Sequence, residues 1–493
     1  MKSILNCLLL LFFTSIFAQE GIPTDYLSSE FHKSRRDAYR SEMPTNSVAV
    51  FFANPVRNRA NDVEYVYHQD PNFYYLTGYK EPHAVLVIFS EDQKGENADY
   101  NELFYVQEKN ERAEMWTGRR LGTEGAHDEL GFENVFNGKE FLENKIDFNA
   151  YDQVLITTFH DDYRDTRDPA DLASLIEHFK KQTNYGKSSP KQVSNKNVNN
   201  IELNQGGEVQ AKISRIETGT SEKIMAKLRQ VKTPKELKLL TKAVKISAQG
   251  QREIMKAMHP GMSETEIQGI HEYVYKKYGS EYEGYPSIVG AGSNGCVLHY
   301  IENSKTKVEN DLVLMDLGAE YHGYTADVTR TIPANGKFSS EQKQIYDLVY
   351  QAQEAGIAAA TAGSEIQGTH AATSQVINEG LAELGIIENA EEKHRYFPHG
   401  TSHYIGLDVH DAGLYGILEP NMVITVEPGI YIPEGSACDE KWWGIAVRIE
   451  DDILITEDGP VNLSVDAPRK SKEIEALMKE TSPFAHYKLP ILD

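Results

Sequence analysis

In the carboxy-terminal half of the chain, short apolar β runs repeatedly end in an acidic or imidazole side chain. Cys296-Val297-Leu298 precedes His299, Leu312-Val313-Leu314-Met315 precedes Asp316, Val423-Ile424-Thr425-Val426 precedes Glu427, and Ala446-Val447-Arg448-Ile449 precedes Glu450. Two stretches with helical periodicity, about 340–362 and 365–384, separate the first Asp-bearing strands from the later His- and Glu-bearing ones. The acids therefore come from both halves of one domain, and those halves must close on each other if the acids are to share a site. Taken singly, an Asp after a strand is more often a turn residue or helix cap than a ligand. The recurrence is what carries weight.

The chain has 493 residues, and at roughly 100–200 residues per domain this length suggests two to four domains. Lys and Arg total 50 against 74 Asp and Glu, a formal charge of −24. Such a surface repels phosphate backbones and anionic lipid, so nucleic acid is set aside as a partner. Apolar residues make up 40%, with 36 Gly in addition, which excludes disordered and collagen-like classes. Residues 1–18 differ from the rest: Lys2 gives a basic start, residues 4–16 are almost wholly apolar, and Ala18 supplies a small residue for cleavage. An apolar stretch of about 13 residues is short of the roughly 20 a membrane span needs. This segment reads as a cleaved secretory signal of an exported protein, periplasmic or secreted, with no membrane anchor. After its removal only Cys296 and Cys438 remain, read as unpaired buried thiols because two distant cysteines make no disulfide framework.

The fold class expected is α/β and α+β. In the amino-terminal part, Ser47-Val48-Ala49-Val50-Phe51-Phe52, Ala84-Val85-Leu86-Val87-Ile88-Phe89, Glu102-Leu103-Phe104-Tyr105-Val106 and Gln153-Val154-Leu155-Ile156 read as strands buried on both faces of a sheet packed by helices. Residues 187–207 are rich in Ser, Asn, Gln and Lys and read as a solvated insertion. Thr233-Pro234-Lys235-Glu236 spells a capping box with Pro at the first helical position, and Ser263-Glu264-Thr265-Glu266 repeats the spelling. The expected organisation is residues 1–18 as signal, 19–220 as an α/β domain and 221–480 as the domain carrying the acids.

Five motifs follow in order: Asp316-Leu-Gly; Asp327, eleven residues later, in Thr325-Ala-Asp-Val-Thr-Arg330; His403 in His399-Gly-Thr-Ser-His403; Glu427-Pro-Gly; and Arg448-Ile-Glu450. Together they resemble the pita-bread metallopeptidases, and within them the aminopeptidase P (Xaa-Pro aminopeptidase) family. The likeness extends to Gln69-Asp70-Pro71-Asn72-Phe73-Tyr74-Tyr75-Leu76-Thr77-Gly78-Tyr79 and to Trp116-Thr-Gly-Arg119-Arg120-Leu-Gly. It implies a pita-bread catalytic domain behind the amino-terminal one, and five metal ligands: Asp316, Asp327, His403, Glu427 and Glu450. Four converging carboxylates cannot all stay ionised without cations, and two divalent ions offset them. An oxygen-rich set with one imidazole suits Mn²⁺ first, with Co²⁺, Fe²⁺ or Zn²⁺ able to occupy the same site. The resemblance further implies a hydroxide between the two ions as nucleophile, Glu427 as proton shuttle, and His299 and His410 as unligated histidines that hydrogen-bond the substrate and its oxyanion. It implies His399 as a wall for proline, and Arg448 and Tyr431 as residues that orient the ligating carboxylates. Trp116 is a candidate wall of the same pocket, lent by a neighbouring subunit, or else a core or interface residue.

Peptides with proline in second position are the implied substrates, and a homo-oligomer, dimer or tetramer, is the implied assembly. A prolyl nitrogen carries no hydrogen and its ring fixes φ, so such a site must recognise ring shape and protonate a poor leaving nitrogen. The nearest alternative is a prolidase, acting on Xaa-Pro dipeptides; only 23 residues separate His403 from Glu427, whereas prolidases of this size carry longer insertions there. A non-enzymatic binding protein on the same fold is a further alternative. The short span from Asp411 to Glu419 holds no arginine, and Trp442 and Trp443 are read as packing beneath the cleft.

Overall fold

The computed structural model describes residues 23–143, 146–185 and 215–486. The signal read at 1–18 and the insertion read at 187–207 lie outside the described residues. In the amino-terminal part a mixed sheet runs in the spatial order Val135–Asn137, Tyr100–Val106, Val85–Gln93, Ser47–Phe52, Gln153–Ile156, Arg215–Glu217. Its central strand, Ser47–Phe52, is buried at every position, pairing antiparallel with Val85–Gln93 and parallel with Gln153–Ile156. Alternation divides its side chains. Ala49 and Phe51 meet a core shared with Tyr39 of helix Ser29–Glu42 and Met225 of helix Gly219–Gln230, while Val48, Val50 and Phe52 meet Leu175, Ile176 and Phe179 of helix Leu172–Thr183. Each fully buried Val or Phe contributes about 1.5–3 kcal/mol, so both faces of this strand are stabilised by helices, as its unbroken apolar run requires.

Further along the chain, the Thr233 hydroxyl accepts from the Glu236 amide while the Glu236 carboxylate accepts from the Thr233 amide. With Pro234 at the first turn, this cap starts helix Pro234–Ala257. Strands Ile288–Ala291, Leu312–Asp316 and Thr329–Pro333 form one antiparallel sheet. After helices Ser340–Ala359 and Gln367–Glu383, strands Val423–Val426 and Asp451–Thr456 pair, as do Gly429–Ile432 and Ile445–Arg448.

The two halves repeat one device. Gln251, on helix Pro234–Ala257, donates to the carbonyls of Met315, just before Asp316, and Val328, just after Asp327. Gln353, on helix Ser340–Ala359, donates to the carbonyl of Val426, just before Glu427, and to the carboxylate of Asp451, just after Glu450. Each buried glutamine thus holds the neighbours of two of the acids, Gln251 through two carbonyls and Gln353 through one carbonyl and one carboxylate. The halves are stitched directly as well: the Glu450 amide donates to Thr329 O at 3.1 Å, and Thr331 Oγ1 donates to Arg448 O at 3.0 Å.

One expected strand is absent. Gly292–Cys296 is a 3₁₀ turn, and Val297 is 54% exposed. Gly292 has φ +62° and a Cβ on Gly290 would lie 2.8 Å from the Gly295 amide nitrogen, so these glycines let the chain fold back tightly over the strand it has just left. Cys296 and Cys438 are both unpaired and half-buried. Trp442 is buried in the core, and Trp443 packs against that core while donating to Ser436 O. Among the described residues, no helix is long and apolar enough to cross a membrane.

Candidate metal centre

Strand ends bring the acids together. Asp316 is the last residue of Leu312–Asp316, Glu427 follows Val423–Val426, and Glu450 lies between strands Ile445–Arg448 and Asp451–Thr456. Asp327 precedes Thr329–Pro333, its amide held by the Asp452 carboxylate at 3.1 Å. The His403 amide donates to Thr425 Oγ1, and His403 Nδ1 faces the Tyr404 carbonyl at 3.0 Å. A carbonyl only accepts, so Nδ1 carries the proton and the Nε2 lone pair points into the site. Nε2 lies 3.5 Å from Asp327 Oδ2 and 3.6 Å from Glu427 Oε1.

These groups floor a cleft of about 660 Å³. Of the residues singled out from the sequence, His299, Asp316, Asp327, His399, His403, His410, Glu427, Arg448 and Glu450 all line it. Tyr431 stands behind the wall: its hydroxyl is 2.8 Å from His399 Nε2 and accepts from Arg448 at 3.0 Å. His399 Nδ1 donates to Gly400 O, so its Nε2 accepts the Tyr431 proton. Arg448 also reaches Asp316 Oδ2 at 2.5 Å. The His410 ring meets the His403 ring edge-on at 4.2 Å. Trp116 is not in this cleft. It sits on helix Glu111–Thr117 of the amino-terminal part, 82% exposed beside an equally exposed Met115, so the alternative of a core tryptophan is overturned.

Four residues that sequence reasoning missed complete the surround, three through side chains and Thr401 through its backbone. The Tyr285 hydroxyl lies 2.6 Å from both Asp316 Oδ1 and Asp327 Oδ1, Thr329 donates to Glu450 at 2.6 Å, and Asp452 and Thr401 hold the amide of Asp327 and, through a carbonyl, that of Glu427. Gly284-Tyr285-Pro286 carries no periodicity and no acid, so nothing local marks Tyr285.

The crowded acids hold one another towards the protonated form, a repulsion that a bound cation would relieve. Burial, then the neighbouring Glu450 and Asp316, push Asp327 well above the usual carboxylate range. Burial, then Glu450, do the same to Glu427. Glu450 is raised to about 8, by burial and then by Asp316. His403, by contrast, is lowered to about 4 by burial, so its imidazole is neutral at pH 7. Ligand atoms of Asp327, His403 and Glu450 all lie within 4.8 Å of one another. The Tyr285 hydroxyl has only one proton to share between Asp316 and Asp327, and hard oxygen donors with one neutral imidazole are the chemistry that a divalent ion accepts. The residues present therefore fit divalent metal.

Glu450 has its folded value raised above its ordinary one, so the metal-free fold holds a proton that the unfolded chain has lost, and this carboxyl subtracts stability as pH rises from about 4.5 to about 8. Divalent metal binding near pH 7 must expel protons from the acids. Calorimetry in buffers of different ionisation enthalpy is expected to show release of at least about one proton per chain; an unchanged heat across buffers would contradict the raised carboxyls.

Two family models match this chain: "Metallopeptidase family M24" over residues 238–457 and "Aminopeptidase P, N-terminal domain" over residues 32–153. The Xaa-Pro aminopeptidase of Escherichia coli K12 is 35% identical, over 92% of this chain and 98% of its own. Xaa-Pro aminopeptidase 3 of Rattus norvegicus is 30% identical, over 89% of this chain and 82% of its own. Among solved structures, aminopeptidase P from E. coli with the inhibitor Pro-Leu superposes with a TM-score of 0.78 at 34% identity, over 92% of this chain and 98% of that one. Aminopeptidase PepP of Pseudomonas aeruginosa gives a TM-score of 0.78 at 32% identity with the same coverage. With the acids, the imidazole and the amino-terminal sheet all in place, the chain belongs to metallopeptidase family M24 and carries the amino-terminal domain of aminopeptidase P.

Proposed function

We propose that this protein is a metal-dependent Xaa-Pro aminopeptidase, releasing the first residue of peptides whose second residue is proline. The observation that carries this reading is the gathering of three buried carboxylates, the half-buried Glu427 and a neutral imidazole on the floor of one cleft whose walls carry three further histidines. Asp316, Asp327 and Glu450 would hold one divalent ion, and His403 and Glu427, with Asp327 and Glu450 shared, a second. When bound, such ions, with Mn²⁺ the first choice, polarise the scissile carbonyl and acidify water.

The chain's own groups do the rest. Glu427 takes the proton of the attacking water and passes it to the prolyl nitrogen, which has no hydrogen of its own and leaves only when protonated. His299 and His410 face the cleft as donors to the carbonyl oxygen as its charge grows. His399, its ring fixed by Gly400 and Tyr431, gives the proline ring a flat wall. Arg448 keeps Asp316 aimed by a charge-assisted bond. The exposed Trp116 is suited to a neighbouring copy in a dimer or tetramer. Export through the segment at 1–18 and a division into units at 19–220 and 221–480 belong to the same reading.

Metal-loaded protein should cleave an Xaa-Pro-Xaa tripeptide after its first residue and hydrolyse an Xaa-Pro dipeptide far more slowly, as product chromatography would show. Preference for the dipeptide would make it a prolidase. His410→Ala should lower kcat by roughly 10²–10³-fold with metal content near normal; loss of metal would move His410 from the substrate to the ligands.

A further inference from the structure

The loop that carries His410 is clamped from outside the cleft by the segment joining the two parts of the molecule. Arg229 is the penultimate residue of helix Gly219–Gln230, and Lys232 lies just past its end. Asp411, next to His410, accepts from Arg229 at Oδ1 and from Lys232 Nζ at Oδ2, the latter at 3.0 Å. All three side chains are buried, at 5%, 1% and 1% exposure for Arg229, Lys232 and Asp411. Backbone bonds extend the clamp. The Leu414 amide donates to Gln230 Oε1 at 3.0 Å, and the Lys232 amide donates to Asn421 O at 2.9 Å.

The Asp411 carboxylate also packs closely against Gly406, where an added Cβ would sit 2.2 Å from Oδ2. The other arm of the Arg229 guanidinium donates to Asn72 Oδ1 at 2.6 Å. Asn72 lies in the first turn of Pro71–Thr77, a helix of the amino-terminal part. One guanidinium thus ties the amino-terminal part to the residue beside a cleft histidine.

Resting on the reading of His410 as a substrate-binding histidine, we infer that Arg229 is a positioning residue for the reaction: through Asp411 it fixes His410, and through Asn72 it makes that placement depend on the amino-terminal part. A buried ion pair need not add stability. Two charged donors on one carboxylate do fix its direction, and a misplacement of about 1 Å in a catalytic group can cost on the order of 10²-fold in rate.

The test is a pair of double-mutant cycles on the full, metal-loaded chain. Arg229→Ala leaves Asp411 paired with Lys232, so no bare buried charge remains. It is expected to lower kcat on an Xaa-Pro-Xaa tripeptide roughly tenfold, with KM within about twofold and bound metal unchanged. In a His410→Ala background the same substitution should cost nothing more, because the group it positions is gone. Asn72→Ala, which cuts only the link to the amino-terminal part, should give a smaller loss that also vanishes in that background; it serves alone if Arg229→Ala does not fold. Losses that multiply with that of His410→Ala, or unchanged kcat in both variants, would overturn the inference. If His410→Ala itself leaves kcat unchanged, the assignment of His410 fails and the inference falls with it.

Discussion

Asp327→Ala is expected to abolish metal binding and to reduce turnover by at least about 10³-fold. Asp327 stands at the centre of the acid cluster: one oxygen is 3.5 Å from His403 Nε2, the other 2.6 Å from the Tyr285 hydroxyl, and the amide is held by Asp452. Removing it takes away one of the two acids that both candidate ions would share. The same substitution relieves a repulsion. Burial, then Glu450 and Asp316, hold Asp327 well above its usual range, so in metal-free protein the Ala variant should be more stable than the parent at alkaline pH, where ionisation of the parent's acids is forced. Elemental analysis with thermal melting at pH 8 separates the cases. Lost metal with a raised metal-free melting temperature supports the ligand role, whereas full metal content or full activity would contradict it.

Arg330→Ala is expected to destabilise the fold by about 3–5 kcal/mol. Arg330 is fully buried between the halves of the catalytic part. Its guanidinium donates to the carbonyls of Thr329, Glu450, Ala467 and Pro468 and pairs with Asp451 at 2.7 Å, both side chains at 0% exposure. Alanine takes the guanidinium from the buried carbonyls of Glu450, Ala467 and Pro468 and leaves Asp451 with only Gln353 and Arg469 beside it, and Glu450 loses the anchor on its own carbonyl. Urea unfolding should show the loss, with weaker metal retention alongside it. A change below about 1 kcal/mol, the range of a surface pair, would show that water replaces the guanidinium.

What the sequence made legible follows from where information is local. Ser47–Phe52 and Val423–Val426 have the bounds their apolar runs suggest, because a strand buried on both faces leaves no polar interruption. Helix Pro234–Ala257 begins where Thr233 and Glu236 can exchange hydrogen bonds within one turn. The acids were legible through their place at strand ends within motifs of fixed order. Cys296-Val297-Leu298 misled because β propensity within three residues cannot see the glycines that bend the chain before them. Tyr285 and the pairing of Arg229 with Asp411, 182 positions apart, exist only in the folded chain, where packing sets partners that no spacing encodes.

The most direct measurement is a metal titration of chelated, full-length protein, following release of the first residue from an Xaa-Pro-Xaa tripeptide against bound Mn²⁺. The account predicts negligible hydrolysis without metal and a rise that saturates as two ions bind each chain. Full hydrolysis by the chelated protein, or metal binding with no hydrolysis of any prolyl peptide, would contradict it.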